Sequence, residues 1–163
     1  MTGLAHGRPL AAYQTGVHPD WLDYNAHMTD SAYAVVCSRA NEALLDALGV
    51  GAAYQANSGC AVFTVEAHLR YLGEVGPDAQ LRAETFLVDA DAKRLRVHTT
   101  VLAGDAVVLT GEYLFVHVDQ RTGRVTAFPA DRDLAVRAAV AAHRPLERPA
   151  HLGVGVGAPR PSR

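Results

Sequence analysis

The chain has 163 residues, which is enough for one domain with a hydrophobic core and too few for two ordinary domains. Its hydrophobic content of 49% and charged content of 20% are typical of a globular protein in water. The formal net charge of −2 excludes the basic surface of a nucleic-acid-binding protein. Apolar runs are too short to span a bilayer, and residues 1–8 lack the apolar core of a signal peptide. We therefore expect a cytoplasmic protein with no nucleic-acid or membrane partner.

The two ends of the chain differ from its middle in composition. Residues 1–10 and 145–163 are rich in Gly, Pro and Arg and show no periodicity. They predict two tails, mobile or lying over the surface or a partner subunit, around one domain of residues 11–144. The two cysteines, Cys37 and Cys60, lack metal-ligand spacing and lie in apolar surroundings, so we expect buried, reduced thiols.

The helical signals are concentrated in one long segment. Residues 11–18 predict a short edge strand, and the Thr-Asp-Ser sequence at 29–31 then offers helix N-cap candidates. Residues 32–48 predict the long helix, because small and apolar side chains recur there at intervals of three and four. Residues 52–59, which are polar and contain Gly and Asn, predict a loop. A terminal helix is predicted over residues 131–143.

Strand signals fill the middle of the chain. Alternation and turn residues predict four consecutive strands over residues 61–71, 80–88, 94–102 and 107–118. The first of them would carry on one face the polar side chains Thr64, Glu66, His68 and Arg70. Short links predict that consecutive strands are antiparallel neighbours. The order of elements predicts an α+β fold with the long helix across one concave face of the sheet. The other face is expected to be wet or to form a site at a subunit interface.

The segment before the long helix carries a carboxylate, a carboxamide and an imidazole at alternate positions: Asp23, Asn25 and His27. In an extended stretch these side chains point to one side, beside the free backbone N–H groups of the helix start. Such a place could hold a thioester or ester carbonyl. The alternative is a loop in which the three residues serve only for turn formation and capping.

Four segments together resemble the hotdog-fold thioesterases related to 4-hydroxybenzoyl-CoA thioesterase, and within them the betainyl-CoA thioesterases of carnitine breakdown. They are Trp21-Leu-Asp-Tyr-Asn-Ala-His-Met28, Thr64-Val-Glu-Ala-His-Leu-Arg-Tyr71, Asp91-Ala-Lys-Arg94 and Glu112-Tyr-Leu-Phe-Val-His-Val-Asp119. The resemblance implies an antiparallel sheet wrapped around one long helix. It also implies a homodimer or homotetramer that binds acyl-CoA between subunits, without a metal or an organic cofactor.

The resemblance also sets a limit on the mechanism. By its motif, Asn25 stands where the 4-hydroxybenzoyl-CoA enzymes carry a catalytic Asp, and Ala26 replaces the Gly that is frequent in this branch. Because Asn cannot act as a general base or nucleophile, the Asp mechanism cannot be transferred to position 25. We expect the backbone N–H groups near Thr29 and Asp30, together with the Asn25 amide, to hold the thioester carbonyl.

Three side chains are candidates for the base that activates water: Glu66, Asp23 and His27. Glu66 lies in mid-strand, where partial burial would make its carboxylate a stronger base. Asp23 is close to Asn25 in sequence, and imidazole groups titrate near neutral pH. We favour Glu66 or Asp23 as the base, with Asn25 and His27 positioning the substrate. The alternatives are an ion pair on its own strand face for Glu66, and loop capping for Asp23.

Basic and aromatic residues are candidates for the rest of the ligand. Arg70, Lys93 and Arg94 are candidates for substrate and CoA contacts, since guanidinium forks match phosphate geometry; solvated surface residues are the alternative. Aromatic side chains could hold a trimethylammonium group by cation–π contact or could simply pack in the core. They are Trp21, Tyr24, Tyr33, Tyr54, Phe63 and Tyr71.

The sequence therefore predicts an acyl-CoA thioesterase for a small acyl group, betainyl-CoA being the candidate. Two alternatives stay open. One is a non-catalytic acyl-CoA-binding hotdog protein, for which Asn25 is the argument. The other is a hotdog enoyl-CoA hydratase, which the absence of a Pro and the shorter spacing between Asn25 and His27 disfavour.

Overall fold

A computed structural model describes residues 6–149 and 152–153. The structure contains three α-helices and six strands in these residues, together with a short 3-10 helix at Pro19–Trp21. The helices are α1 (Asp30–Ala47), α2 (Ala52–Ser58) and α3 (Ala130–His143). The strands are β1 (Leu10–Gly16), β2 (Cys60–Tyr71), β3 (Gln80–Ala90), β4 (Arg94–Ala103), β5 (Ala106–Asp119) and β6 (Arg124–Val125).

All strand pairs are antiparallel, and the sheet order is β1-β3-β4-β5-β2, with β6 beside β5. The short links between β3, β4 and β5 join neighbours, as predicted. The expectation that β2 also neighbours β3 is wrong, because β2 pairs with β5 at the far edge. Residues 72–79 instead cross one end of the sheet, where the backbone of Val75 and Ala79 bonds to residues on either side of the motif, Met28 and Val17.

The core lies between α1 and the inner face of the curled sheet. Val36, Cys37, Ala40 and Leu44 of α1 are all fully buried, which is the helical spacing seen in the sequence. They pack against inward-facing apolar side chains of the strands, which include Leu81, Ala83, Leu87, Leu95, Val97, Val101 and Leu109. One polar contact joins the layers, since the Thr99 hydroxyl donates to Asn41 at 2.8 Å. The predicted α+β hotdog arrangement of one long helix on an antiparallel sheet is confirmed.

The outer face of the sheet is partly covered, which the sequence did not predict. Helix α3 lies along β3: Val136 and Ala139 are buried in the same core cluster as α1, and His143 at its end contacts the outward-facing Phe86 ring and accepts a hydrogen bond from the Leu87 N–H at 3.0 Å. Beyond α3, Arg148 donates to the Val88 carbonyl at 2.8 Å, and the Gly153 N–H reaches β5. Part of the predicted C-terminal tail thus lies on the surface. The predicted tail residues 1–5, 150–151 and 154–163 lie outside the described residues.

Two local predictions are wrong. Residues 52–58 form α2 rather than a loop, because Gly59 with φ +69° gives this short helix a left-handed C-terminal cap. In β2 a bulge between Thr64 and Glu66 breaks the alternation, so Thr64 lies on the opposite face from Glu66. Strict alternation in sequence could not reveal the bulge. In residues 6–149 and 152–153, no helix is long and apolar enough to cross a membrane.

Candidate active site

The motif before α1 forms a compact turn and not the extended stretch expected from the sequence. The Asp23 carboxylate folds back, and its Oδ1 accepts the backbone N–H groups of Asn25 at 2.8 Å and His27 at 3.1 Å. A bridge between Leu22 and Met28 closes the turn. Ala26 takes a left-handed conformation with φ 58°, which is uncommon for a residue with a side chain. Asp23 therefore has the loop-forming role that was the alternative, and its second oxygen stays available for chemistry.

The turn rests on the segment that links β2 to β3. The Met28 N–H donates to the Val75 carbonyl at 2.8 Å, and the Tyr33 hydroxyl donates to the Gly73 carbonyl at 2.9 Å. Because Met28 and Val75 are buried, their bond is shielded from water, and the two bonds together hold the turn against the start of α1. The crossing of residues 72–79, which the sequence did not predict, is thus what positions the motif.

A cavity of about 470 Å³ opens between the turn, the start of α1 and the end of β2. Its lining brings together four of the predicted site residues, Asp23, Asn25, His27 and Asp30. The other lining residues are Met28, Tyr33, Tyr71, Leu72, Gly73 and Glu74. Three carboxylates thus face this space against one imidazole, so the cavity favours a cationic group.

Two tyrosines form one corner of the cavity. The rings of Tyr33 and Tyr71 are perpendicular, with centroids 5.6 Å apart. Tyr33 is buried, whereas Tyr71 is half exposed. Burial raises the pKa of both phenols, and the charge of Glu74 raises the pKa of Tyr33 further. Both hydroxyls therefore stay protonated at neutral pH, and the rings can present neutral faces to a ligand.

The carboxyl of Asp23 is ionised at neutral pH. The backbone N–H of His27 lowers the pKa of this carboxyl, and the N–H of Asn25 lowers it further against a partial opposing effect of burial. The Asn25 amide lies 3.5 Å from Oδ2 of Asp23, and Nδ1 of His27 lies 3.8 Å from Glu74. The turn therefore places an acceptor for a water proton, Oδ2 of Asp23, next to an amide donor, the side chain of Asn25.

The start of α1 has one unused donor. Thr29 N–H donates to the Trp21 carbonyl, Ala32 N–H to Thr29, and Ser31 N–H to the Asp30 carboxylate. Among the described residues, none accepts the N–H of Asp30 itself. Thr29 is the N-cap residue, but its hydroxyl makes no capping bond and lies 3.2 Å from that of Ser31. A carbonyl oxygen at this helix start would meet the Asp30 N–H and the positive end of the helix dipole.

Glu66 and Arg70 do not join this cavity within one subunit. They pair with Leu114 and Thr110 of β5, positions that alternate with the inward-facing Tyr113, so both lie on the outer face of the sheet. Both are exposed, which removes the partial burial expected for Glu66. The edge position of β2 leaves this stretch open on both faces, a property that alternation could not indicate.

Lys93 ends the link between β3 and β4 and Arg94 begins β4, at the other end of the sheet from the cavity. The Asp91 carboxylate accepts the Arg94 side chain at 2.7 Å and caps the turn through the N–H groups of both residues. Residues paired across neighbouring strands form a row perpendicular to the strands. Arg94 is in one row with Val116 and Phe63, and Tyr71 is in another row with Val101. The rows are about 23 Å apart along the strands.

The remaining candidates are dispersed. Of the six aromatic residues proposed for a cation cage, only Tyr33 and Tyr71 line the cavity. Tyr24 is 96% exposed and Phe63 lies on β2, while Tyr54 of α2 bonds to His117 at 2.9 Å. Sequence reasoning did not single out Glu74, which carries no motif and is brought in by the crossing segment.

Neither cysteine is disulfide-bonded. Cys37 is buried as expected, and Cys60 is half-buried. Burial raises the pKa of the Cys37 thiol to about 11, so this thiol is protonated at neutral pH and is a poor nucleophile. Within residues 6–149 and 152–153, no group of three His, Cys, Asp or Glu side chains could hold a metal ion.

Comparison with known proteins identifies relatives of this chain. A betainyl-CoA thioesterase of Pseudomonas aeruginosa is 35% identical over 92% of this chain and 96% of its own length. A bifunctional L-carnitine dehydrogenase/betainyl-CoA thioesterase of Agrobacterium fabrum is 43% identical over 74% of this chain, which spans 25% of that longer protein. A Staphylococcus aureus protein of unassigned function, solved in complex with CoA, superposes with a TM-score of 0.84 and 24% identity, covering 96% of this chain and 100% of its own. This likeness confirms the hotdog fold.

The family model that matches describes the thioesterase-like superfamily, and the match runs over residues 17–140. It covers the motif turn, the long helix, every strand except β1 and most of α3. The prediction of a thioesterase agrees with this match and with the names of the relatives. The chain belongs to the thioesterase-like superfamily.

Proposed function

We propose that this protein hydrolyses the CoA thioester of a small, positively charged acyl group to the free acid and CoA, with betainyl-CoA as the model substrate. One observation carries the proposal: a single cavity combines an ionised carboxylate, an unused helix-start N–H and a perpendicular tyrosine pair. The relatives named betainyl-CoA thioesterases support the choice of substrate.

In this mechanism Asp23 is the general base. Its Oδ1 is held by two backbone N–H groups, so Oδ2 accepts a proton from water as the water oxygen attacks the thioester carbonyl. The Asp30 N–H and the Asn25 amide stabilise the oxyanion that develops. When the carbonyl re-forms, the carbon–sulfur bond breaks and CoA leaves as its thiolate. Asn25 is therefore a donor, and its inability to act as a base is no obstacle.

The acyl group is held by charge and by aromatic faces. A trimethylammonium group in the corner between Tyr33 and Tyr71 would contact two ring faces, and Asp30 and Glu74 line the same cavity. Cation–π contact of this kind contributes about 0.5–2 kcal/mol, depending on desolvation. A neutral acyl group of the same shape would lose this contribution.

The proposal includes a homo-oligomer in which a second copy pairs with β2. This strand is at the edge of the sheet, and its Phe63 and Val65 side chains are 45% and 52% exposed. Exposed apolar edges of this kind pair with another strand. Antiparallel pairing centred on Val65 would place the partner's row of Phe63 and Arg94 close to Tyr71. Measured along the strands, the separation would be about 13 Å, compared with about 23 Å within one subunit. Lys93 and Arg94 would then contact the CoA phosphates across the interface.

The pairing also gives Glu66 and Arg70 a place at the interface, since both lie on β2, Glu66 near its centre and Arg70 near its end. Glu66 remains the alternative base in this arrangement. Two free cysteines are in keeping with the cytoplasmic location that we propose.

The first test is thiol release from betainyl-CoA, compared with tert-butylacetyl-CoA, its uncharged isostere. We expect hydrolysis of betainyl-CoA with kcat/KM about tenfold higher than for the isostere. Hydrolysis of short linear acyl-CoAs with no preference for the charged substrate would reject the cation site and keep the thioesterase. Binding without thiol release would favour the non-catalytic acyl-CoA binder, and loss of enoyl-CoA absorbance without thiol release would favour the hydratase.

The oligomer is tested by light scattering on Val65→Lys, which places a charge at the centre of the β2 edge. We expect the wild type to be a dimer or larger and Val65→Lys to be monomeric and inactive. Leu134→Lys is the matched control, because Leu134 is 70% exposed on α3, away from β2. A monomeric wild-type protein with full activity would contradict the shared site.

A further inference from the structure

A second cavity, of about 460 Å³, lies on the outer face of the sheet, on the opposite side from α1. It is bounded by the end of β3, the start of β4, the end of α3 and the segment that follows. Its lining is Val88, Asp89, Arg96, Val140, Arg144, Arg148, Leu152 and Gly153. Three guanidinium groups thus face one carboxylate around a space of small-molecule size.

Arg96 forms the floor of this cavity together with a buried carboxylate. Its Nη2 donates to Glu112 at 2.5 Å, and the side chains of Arg96 and Glu112 are 15% and 1% exposed. Glu112 also accepts the Gly153 N–H at both oxygens, at 3.1 and 2.9 Å. The charge of Glu112 is therefore met by two donors. Nε of Arg96 is also buried, and no described residue accepts a hydrogen bond from it.

The other two arginines, Arg148 and Arg144, form the wall of the cavity. Arg148 is held by a hydrogen bond, and Arg144 has its guanidinium available for a ligand. Arg148 donates through Nη1 to the Val88 carbonyl at 2.8 Å, which fixes the guanidinium at the rim and leaves its other donors unassigned. Arg144 follows the last turn of α3, and its side chain makes no ion pair within the described residues. Asp89, the one acidic lining residue, bonds to the N–H of Ala90.

From this arrangement we propose that the outer-face cavity is a binding site for a phosphate-bearing ligand. The charge of Arg96 is balanced by Glu112. The positive charges of Arg144 and Arg148 then exceed the single negative charge of Asp89, so the cavity is net positive. Guanidinium groups bind phosphate oxygens with paired, charge-assisted hydrogen bonds, and several converging on a cavity select a phosphate over a lone carboxylate. The apolar side chains Val88, Val140 and Leu152 would contact the organic part of such a ligand.

Two sources of the phosphate share this chemistry. One is the phosphate-bearing end of an acyl-CoA bound by the same assembly, and the other is a separate phosphorylated metabolite that binds only here. The site does not depend on thioester hydrolysis, because none of its lining residues lines the cavity of Asp23.

The experiment measures binding of inorganic pyrophosphate by calorimetry to the full chain and to two variants that each remove one positive charge. Arg144→Gln changes the cavity. Arg137→Gln is the matched control, since Arg137 lies on the same helix, pairs with Asp133 at 2.7 Å and is outside the cavity lining. We expect saturable pyrophosphate binding that weakens with salt, that Arg144→Gln reduces about tenfold, and that Arg137→Gln leaves within about twofold.

Absence of saturable binding up to about 10 mM pyrophosphate would overturn the proposal, as would an equal loss in both variants. Thermal unfolding midpoints of the variants show whether each is folded. CoA titrated into the same proteins separates the two sources. A parallel loss of CoA affinity in Arg144→Gln assigns the site to the CoA phosphates, and unchanged CoA affinity assigns it to a separate phosphorylated compound. Because the binding is measured without turnover, a failure of the proposed thioesterase activity would not affect the outcome.

Discussion

The molecule carries two cavities of nearly equal volume that differ in charge, in position and in how the chain builds them. The inner cavity of about 470 Å³ has three carboxylates and a tyrosine pair, and the outer cavity of about 460 Å³ has three guanidiniums. A betainyl-CoA molecule has the same polarity, with a cation at its acyl end and phosphates at its nucleotide end. Each cavity therefore suits one kind of charge, and the sheet keeps the two apart in a single subunit.

The largest effect is expected on the inner cavity, from Asp23→Asn. Asn keeps an oxygen for the backbone N–H groups of the turn but cannot take a proton from water. We expect kcat for thiol release to fall about a thousandfold, within the range of about 10²–10⁴ for general-base catalysis. Asp20→Asn is the control, because Asp20 is exposed in the preceding 3-10 helix and its ion pair within the described part of the chain is with the neighbouring His18.

The pH profile of kcat/KM adds a second readout for Asp23. Since the N–H groups of His27 and Asn25 lower the pKa of its carboxyl, activity carried by Asp23 should not decline from pH 8 to pH 5 through loss of the base. The lowered pKa keeps the Asp23 carboxylate ionised across this range. A decline of activity within it, together with near-normal turnover of Asp23→Asn, would transfer the role of base to another group.

At the outer cavity, the largest effect is expected on the free energy of unfolding. Glu112→Gln leaves the mostly buried Arg96 without its counter-ion, and breaking a buried pair in this way costs about 3 kcal/mol of unfolding free energy. Glu42→Gln, which removes an exposed pair with Arg39 on α1, should change it by less than about 0.5 kcal/mol. Urea denaturation measures both. Equal effects would mean that the Arg96–Glu112 pair does not stabilise the outer face.

The inner cavity could be predicted from the sequence because its chemistry is local. Asp23, Asn25, His27 and Asp30 lie within eight residues, next to a helix whose apolar spacing is clear, so their proximity needs no knowledge of the sheet. The extended form of the motif was wrong and its alternative, a turn, is what the structure shows, because the Asp23 carboxylate competes for backbone N–H groups that an extended stretch would leave free.

The outer cavity could not be predicted, because its residues are distant in the sequence. Arg96, Arg144 and Gly153 meet only because the end of α3 and the following segment reach the outer face. The expected partial burial of Glu66 is wrong for a similar reason: the sheet order places β2 at the edge, where Glu66 is exposed. Long-range pairing is the information that periodicity lacks.

A smaller effect is expected on the preference of the inner cavity for a charged acyl group. Tyr71→Leu removes one ring of the perpendicular pair but keeps an apolar side chain on β2. We expect the preference for betainyl-CoA over tert-butylacetyl-CoA to fall about fivefold, equivalent to about 1 kcal/mol of cation–π contact. Tyr24→Leu is the control, since Tyr24 is in the motif but 96% exposed. An unchanged preference in Tyr71→Leu would limit recognition of the cation to the carboxylates.

The smallest effect concerns the backbone of the turn that forms the inner cavity. Ala26 is held at φ 58°, where a β-carbon is unfavourable and glycine is not. Ala26→Gly should raise the free energy of unfolding by about 0.5 kcal/mol, because relief of strain exceeds the added entropy of the unfolded chain. Ala138→Gly, at an exposed position inside α3, should lower it by about 0.5–1 kcal/mol. Opposite signs in urea denaturation would show that Ala26 carries strain, and a loss of stability in both variants would show that the turn accommodates alanine without cost.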